Sequence, residues 1–336
     1  MLFFGLILPK TYLENNNDLI EMHKNVLESA MENKTVVVTG GNDGIGYYTC
    51  LNLAQLGANV IMLCRNEHKA QMATQKIQHR TGNKKVSYVL GDLSHMESVR
   101  IAALQILNRV QVIDVLINNA GAAFSKFEKS RDGFEMTFAT NHLGCFLLTG
   151  LLLKAIQNSS SGRIINVSSH SHYRGKIDFS SISDAQGYSL MKSYEQSKLA
   201  NVMFTVELAE RLKNSTITVN CLHPGKVNTS MGQKAGQGNF ITQLMVSGMQ
   251  LFTRIFGISA EAGAITSTYL AVSDEVKTVS GEYFSKCKLK KMNPLARHKE
   301  MRAKLWQMSE AMVGFSFPLS EYGKLYHINM EQKHTP

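Results

Sequence analysis

From residue 34 onward, short runs of branched aliphatic residues alternate with longer amphipathic stretches. Lys34-Thr35-Val36-Val37-Val38-Thr39 is a β-branched run that ends at glycine, the pattern of a strand buried on both faces. Helical spacing follows from Ile45 to Leu56 and stops at Gly57. Further strands are predicted at Ala58–Leu63, Val86–Leu90, Val112–Ile117, Arg163–Val167 and Ile217–Leu222. Helices are predicted at Glu67–His79 and near 95–108. This alternation predicts an α/β fold: a Rossmann-like doubly wound parallel sheet with helices on both faces, in a single domain. In such a sheet a ligand binds beyond the carboxyl ends of the strands, near the point where strand order reverses.

The pattern weakens at both ends. Residues 1–32 read as an N-terminal extension, 33–292 as the α/β domain, and 293–336 as a C-terminal helical tail. The chain opens with eight apolar or small residues before Pro9 and Lys10, too few for a bilayer span of about 20 residues. A charged start and a small-residue cleavage site, the marks of a signal peptide, are not evident. A weak membrane anchor and a surface tail both stay open.

Charge and cysteine content narrow the class. The net charge is +10, and its densest group runs through Lys286, Lys288, Lys290, Lys291, Arg297, Lys299, Arg302 and Lys304. A solvated helix face is the reading preferred for that run. No zinc-finger, basic-zipper or RNA-binding signature accompanies it, so no nucleic-acid partner is expected. Cys50, Cys64, Cys145, Cys221 and Cys287 form no close pair, which argues for a reducing compartment and against secretion. The expected setting is cytoplasmic, or peripherally membrane-associated on the cytosolic side.

The chemistry begins after the first strand, at Thr39-Gly40-Gly41-Asn42-Asp43-Gly44-Ile45-Gly46. Glycines let a backbone turn tightly and approach a pyrophosphate at a helix N-terminus. A glycine turn alone often serves geometry only, but its place between first strand and first helix favours a binding role. Asn118-Asn119-Ala120-Gly121 ends the fourth strand, Tyr194-Glu195-Gln196-Ser197-Lys198 follows the fifth, and Pro224-Gly225 follows the sixth.

These four motifs, in this order, resemble the short-chain dehydrogenases/reductases over roughly residues 34–315. Asn141-His142-Leu143-Gly144, Ser197-Lys198-Leu199-Ala200-Asn201 and Leu305-Trp306 with Ser309-Glu310 are similar to the retinol-dehydrogenase-like branch. The glycine turn through Tyr47 and Arg131-Asp132-Gly133-Phe134 also resemble a polyprenol-processing relative. The resemblance implies a catalytic set of Asn141, Ser169, Tyr194 and Lys198. It implies a substrate loop over 227–258, rich in Met and Phe, which suits a lipophilic carbonyl or alcohol. A homo-oligomer is common in the family and is left open. His170 and His172 fit no metal motif and read as loop or substrate-pocket histidines, and the family needs no metal.

Two Tyr-x-x-x-Lys pairs overlap, Tyr188 with Lys192 and Tyr194 with Lys198. Six residues along a helix amount to about 600°, so both pairs cannot share a face. The resemblance selects the second pair and leaves Tyr188 to packing or loop contact. Lys198, one turn from Tyr194, is expected to lower the phenol pKa; at about 4 Å and a dielectric near 20 the attraction is on the order of 4 kcal/mol before desolvation. Ser168 and Ser169 end the fifth strand and face opposite ways, so one of them reaches the site, and the resemblance selects Ser169.

The expected cofactor is NADP. No carboxylate follows the second strand, and Arg65 stands ready for a 2′-phosphate, although Asp43 is a counter-signal. The cofactor contacts implied are Gly40, Gly41, Asn42, Asp43, Gly44, Ile45, Gly46, Arg65, Asp92, Leu93, Asn119, Ala120, Gly121, Tyr194, Lys198, Pro224, Gly225, Val227 and Thr229. The competing reading is a catalytically idle NADP(H)-binding regulatory or scaffold protein on the same fold. The complete four-residue set favours the enzyme.

Overall fold

The computed structural model describes residues 31–179, 185, 187–225 and 258–319. Most of the expected substrate loop, with Val227 and Thr229, lies outside the described residues, as do 1–30 and 320–336. The elements in chain order are β1 (Thr35–Thr39), α1 (Gly44–Gln55), β2 (Asn59–Cys64), α2 (Glu67–Thr81), β3 (Val86–Leu90), α3 (Met96–Leu107) and β4 (Val115–Asn118). There follow a single turn α4 (Met136–Phe138), a π-helical turn (Ala139–Leu143), α5 (Gly144–Gln157), β5 (Arg163–Val167) and α6 (Leu190–Arg211). The chain continues with β6 (Thr218–Leu222), α7 (Ala260–Val272), β7 (Tyr283–Ser285), β8 (Lys288–Lys290) and α8 (Lys299–Val313).

The strands pair in the order β3-β2-β1-β4-β5-β6-β7-β8. All pairs are parallel except β7 with β8. The strand order therefore reverses between β1 and β4, and their carboxyl ends carry the two loops expected to bind. Side chains alternate across the sheet as the period of two requires. Val37, Ile61, Leu116, Ile164 and Val219 join one core with residues of α3, α5, α6 and α8. Val36, Val38, Val60, Met62 and Ile117 join the other with α1, α2 and α7.

Residues Met136–Gln157 are long and apolar enough to cross a bilayer by composition, but 83% of that window is buried inside the fold. Gly150 leaves a flat spot on α5 that Phe315 and Phe317 fill. One tie of the C-terminal helix to the core is a buried carboxylate. Glu207 on α6 pairs with Arg302 at 3.1 Å and Arg211 at 2.9 Å, and Arg211 lies 4.2 Å over the Trp306 ring.

Three elements differ from the sequence expectation. The fourth strand starts at Val115, because Asp114 turns inward and accepts from Thr35 N, Lys34 Nζ and Ser159 Oγ. Val112 is left exposed. Strands β7 and β8 were not expected; three residues hold too few alternations to register as a period. The basic run is also not one helix face. Lys288 and Lys290 lie on the exposed edge strand, Lys286 and Cys287 form its turn with φ of 51° and 58°, and Arg302 is buried.

Candidate active site

The glycine turn has no room for a Cβ at Gly41 or Gly46. A Cβ on Gly46 would stand 2.2 Å from the Gly40 carbonyl oxygen, and one on Gly41 would meet Cys50 Sγ and Met62 Cγ at 2.7 Å. Gly40 and Gly44 adopt φ of 68° and 54°, where glycine is favoured. Asp43 caps α1 by accepting from Gly44 N at 2.8 Å, with Asn42 and Ile45 half-buried on either side. Thr39 stitches this turn to the loop after β4. Its hydroxyl accepts from Asn119 N and Ala120 N, and Asn119 Nδ2 donates back to the Thr39 carbonyl. Gly40–Gly46 and Asn119–Gly121 thus line one backbone surface at a helix N-terminus, suited to an anion.

Around it stand the other expected contacts. Arg65 Nη1 lies 3.6 Å from Asp92 Oδ2, and Asp92 is held by the Ser94 amide and hydroxyl at 2.9 and 2.7 Å. Leu93 turns its side chain into the core. Its carbonyl passes so close to α5 that a Cβ on Gly144 would come within 2.1 Å. Pro224 and Gly225 follow His223, whose Nδ1 accepts from Gly225 N at 2.9 Å.

Ser169, Tyr194 and Lys198 meet beyond the end of β5, and Asn141 joins them through Ser197, the neighbour of Lys198. Lys198 is buried, and its Nζ donates to the Val167 carbonyl at 3.0 Å. The buried Ser168 hydroxyl donates to the Lys198 carbonyl at 2.8 Å, while half-buried Ser169 faces Tyr194. The alternation at the strand end is therefore resolved: Ser168 fixes the helix and Ser169 reaches the site. Asn141 donates to the Ala122 carbonyl and to Ser197 Oγ, and accepts from Ala122 N at 2.7 Å. Ser197 Oγ in turn donates to the Tyr194 carbonyl.

The electrostatics differ from the expectation of a lowered phenol pKa. Burial pushes the Tyr194 phenol up, and Ser169 pulls it partly back. Burial also brings the Lys198 ammonium down to about 8. Lys198 Nζ stands 5.8 Å from the Tyr194 ring centroid and is turned onto the Val167 carbonyl, so desolvation outweighs its attraction.

The competing tyrosine is tied off. Tyr188 precedes the first residue of α6, so helix geometry is not what separates the pairs. Its hydroxyl donates to the Phe124 carbonyl at 2.7 Å, its ring packs edge-on against Phe127, and burial pushes its pKa up to about 12. Lys192 is exposed.

Sequence reasoning missed several supports. Asn118 Nδ2 donates to Asn166 Oδ1 and Thr149 Oγ1, and Asn166 Nδ2 donates to Thr205 Oγ1, a buried ladder from α5 through β4 and β5 to α6. Its signal was an asparagine in each of two otherwise apolar strands. The sequence marked His170 and His172 as loop or substrate-pocket histidines but missed that they join Tyr173, His223 and Tyr283 in an aromatic and imidazole wall just after Ser169. The His172 ring lies 4.1 Å from Tyr173 and 4.5 Å from Tyr283, and His223 lies 5.7 Å from His170. Burial lowers His172 and His223 to about 4.

The family model for short chain dehydrogenase matches residues 34–239. Retinol dehydrogenase 13 of Homo sapiens is 41% identical over 293 residues, 87% of this chain and 88% of that one. Retinol dehydrogenase 14 of Mus musculus is 41% identical over 295 residues, 84% and 87% of the two chains. An uncharacterized protein from Mycobacterium Paratuberculosis matches in structure with TM-score 0.68 and 32% identity, over 88% of this chain and 98% of that one. A short chain dehydrogenase from Escherichia coli CFT073, complexed with NADPH, shares the fold with TM-score 0.57 and 23% identity, over 76% and 98%. By matched length, identity and fold, this chain belongs to the short chain dehydrogenase family, in its retinol-dehydrogenase-like branch.

Proposed function

We propose that this protein is an NADP(H)-dependent oxidoreductase that interconverts an alcohol and a carbonyl on a lipophilic substrate, a retinoid being the first to test. The observation that carries this reading is the meeting of Ser169, Tyr194, Lys198 and Asn141 at one strand end, while Tyr188 is bound elsewhere. The substrate class rests on the relatives, two of which are named retinol dehydrogenases.

The residues fit a dinucleotide. The glycine-rich turn Gly40–Gly46, closed to a Cβ at Gly41 and Gly46, suits a pyrophosphate, and Arg65 suits a 2′-phosphate. Asp92 and the Asn119–Gly121 backbone would flank the adenosine side, with Lys198 and the Pro224-Gly225 turn toward the nicotinamide. When bound, the nicotinamide supplies or accepts the hydride.

The chain's own residues handle the oxygen and the proton. Ser169 donates to the substrate oxygen and holds it beside Tyr194. In reduction, Tyr194 gives its proton to that oxygen as charge develops there; a phenol kept protonated by burial suits a general acid. Lys198, a buried cation one helical turn away, offsets the tyrosinate left behind, and Asn141 fixes the loop and helix that bracket it. Peripheral contact with a membrane on the cytosolic side would bring such a site to a lipophilic substrate.

The test compares Tyr194→Phe with Tyr188→Phe, in the full chain, by NADPH consumption with retinal at saturating cofactor. Tyr194→Phe should keep cofactor binding and lose about 10²–10⁴-fold in turnover. Tyr188→Phe should lose far less. The reverse ranking would refute the assignment, and inertness of the unaltered protein toward retinal and other lipophilic carbonyls would favour the idle scaffold.

A further inference from the structure

We propose that His142 is a positioning residue: held by Ser309 of α8 and Asn201 of α6, it sets the height of Asn141 against Lys198. This rests on the assignment of Asn141 and Lys198 to the reacting site.

Asn141 and His142 share the π-helical turn Ala139–Leu143, closed by Gly144 N donating to the Ala139 carbonyl. Such a turn widens the helix, interrupts the regular α-helical ladder and is frequent at functional sites. Asn141 holds both backbone groups of Ala122. His142 is held by other elements, packed among Phe138, Phe146 and Phe204 at ring distances of 5.0, 5.9 and 6.1 Å.

Its tautomer follows from the partner. His142 Nε2 is 2.8 Å from Ser309 Oγ, and that hydroxyl spends its single hydrogen on the Leu305 carbonyl at 2.7 Å. Ser309 can therefore only accept, so Nε2 carries the proton and Nδ1 is bare. His142 Nδ1 and Asn201 Oδ1 are both buried without a partner, and Asn201 is the side chain that acts on the imidazole. Two facing acceptors would each forfeit a hydrogen bond. Exchanging the two ends of the Asn201 amide puts its N–H on Nδ1 and satisfies both groups.

The result is a double stitch between the π-helical turn and α6. Asn141 is tied to Ser197, and His142 to Asn201, four residues later on the same helix face. Lys198 lies between the two ties. Ser309 adds a third tie, from a helix that holds no group of the reacting set. Loss of it should let the turn shift along α6 and move Asn141 relative to Lys198. A small misplacement of that kind reduces turnover more than substrate binding.

The experiment uses the full chain, with NADPH and retinal as probes. Ser309→Ala should lower kcat about tenfold, with KM for both changed less than about twofold. His142→Phe, which keeps a ring in the aromatic cluster, should lower kcat further. In an Asn141→Ala background, Ser309→Ala should add less than about twofold, because both losses pass through one group. Unchanged kcat in both single variants, or full multiplication of the losses in the double variant, overturns the brace. Full turnover by Asn141→Ala overturns the site assignment and the brace with it, and is read separately from either result.

Discussion

Acidification should unfold this protein through its buried neutral histidines, at a pH set by two of them. His142 and His172 are 1% and 0% exposed, and burial lowers both to about 4 from an ordinary 6.5. Their folded pKa lies below the unfolded one, so between those limits the unfolded chain binds protons that the native state refuses. The stability they allow is therefore whole above pH 6.5 and is lost as pH falls toward 4. At pH 5 each costs about 2 kcal/mol, and at pH 4 about 3 kcal/mol, because each tenfold difference in proton affinity is worth about 1.36 kcal/mol. The pair would remove about 4 kcal/mol by pH 5, a large part of the roughly 5–15 kcal/mol that a typical domain holds. His223, also lowered to about 4 but half-exposed, should add a smaller share. The assay is urea unfolding by circular dichroism at pH 7, 6 and 5, with the m-value checked for constancy. His142→Phe supplies the internal control. Whatever its absolute stability, its slope against pH should fall by about half relative to the two-histidine contribution. A flat stability between pH 7 and 5, or a slope unchanged by His142→Phe, would refute the reasoning.

Other perturbations address the cofactor cradle and the C-terminal helix. Arg65→Ala should weaken NADPH by roughly 10–100-fold and leave NADH nearly unchanged, read by fluorescence titration of both cofactors; equal weakening of the two would count against a 2′-phosphate contact. Gly46→Ala should weaken either cofactor by on the order of tenfold or more, because its Cβ would come 2.2 Å from the Gly40 carbonyl oxygen and must displace the turn. Glu207→Ala leaves Arg302 buried beside no carboxylate and should cost about 3–5 kcal/mol in urea unfolding. A loss under about 1 kcal/mol would show that the Glu207–Arg302 pair is not what holds α8.

Much of the fold was legible because central strands buried on both faces must be apolar throughout. Val36-Val37-Val38 and Val60-Ile61-Met62 announce themselves for that reason, and the glycines between strand and helix mark the reversal of chain direction. Edge elements escaped because nothing forces that pattern on them. Strand β8 is exposed along Lys288-Leu289-Lys290 and reads as a charged face of any kind. Asp114 escaped for a different reason. Its partners Lys34 and Thr35 lie 80 and 79 residues away, so no local pattern could tell that this carboxylate ends a strand by turning inward.

At the proposed site, the sequence offers candidate residues but not their protonation. The spacing offers two Tyr-x-x-x-Lys pairs and the family resemblance selects Tyr194 with Lys198, whose one-turn separation suggests that the ammonium lowers the phenol. That argument omits where the ammonium goes. The fold gives Lys198 Nζ to the Val167 carbonyl and buries both groups, so each shifts toward its neutral form: the phenol up, the ammonium down. In the proposed reaction, a tyrosine kept protonated by burial would be the proton donor, with the Lys198 ammonium near the tyrosinate it leaves. The same burial explains why the supports matter. A desolvated lysine has no water to correct its position, so Ser168, Ser197 and the asparagine between loop and helix must do so by direct bonds. These supports were hidden in the sequence because serine and asparagine are common at strand ends and helix starts, and only their partners, 19 to 56 residues distant, distinguish a brace from a cap.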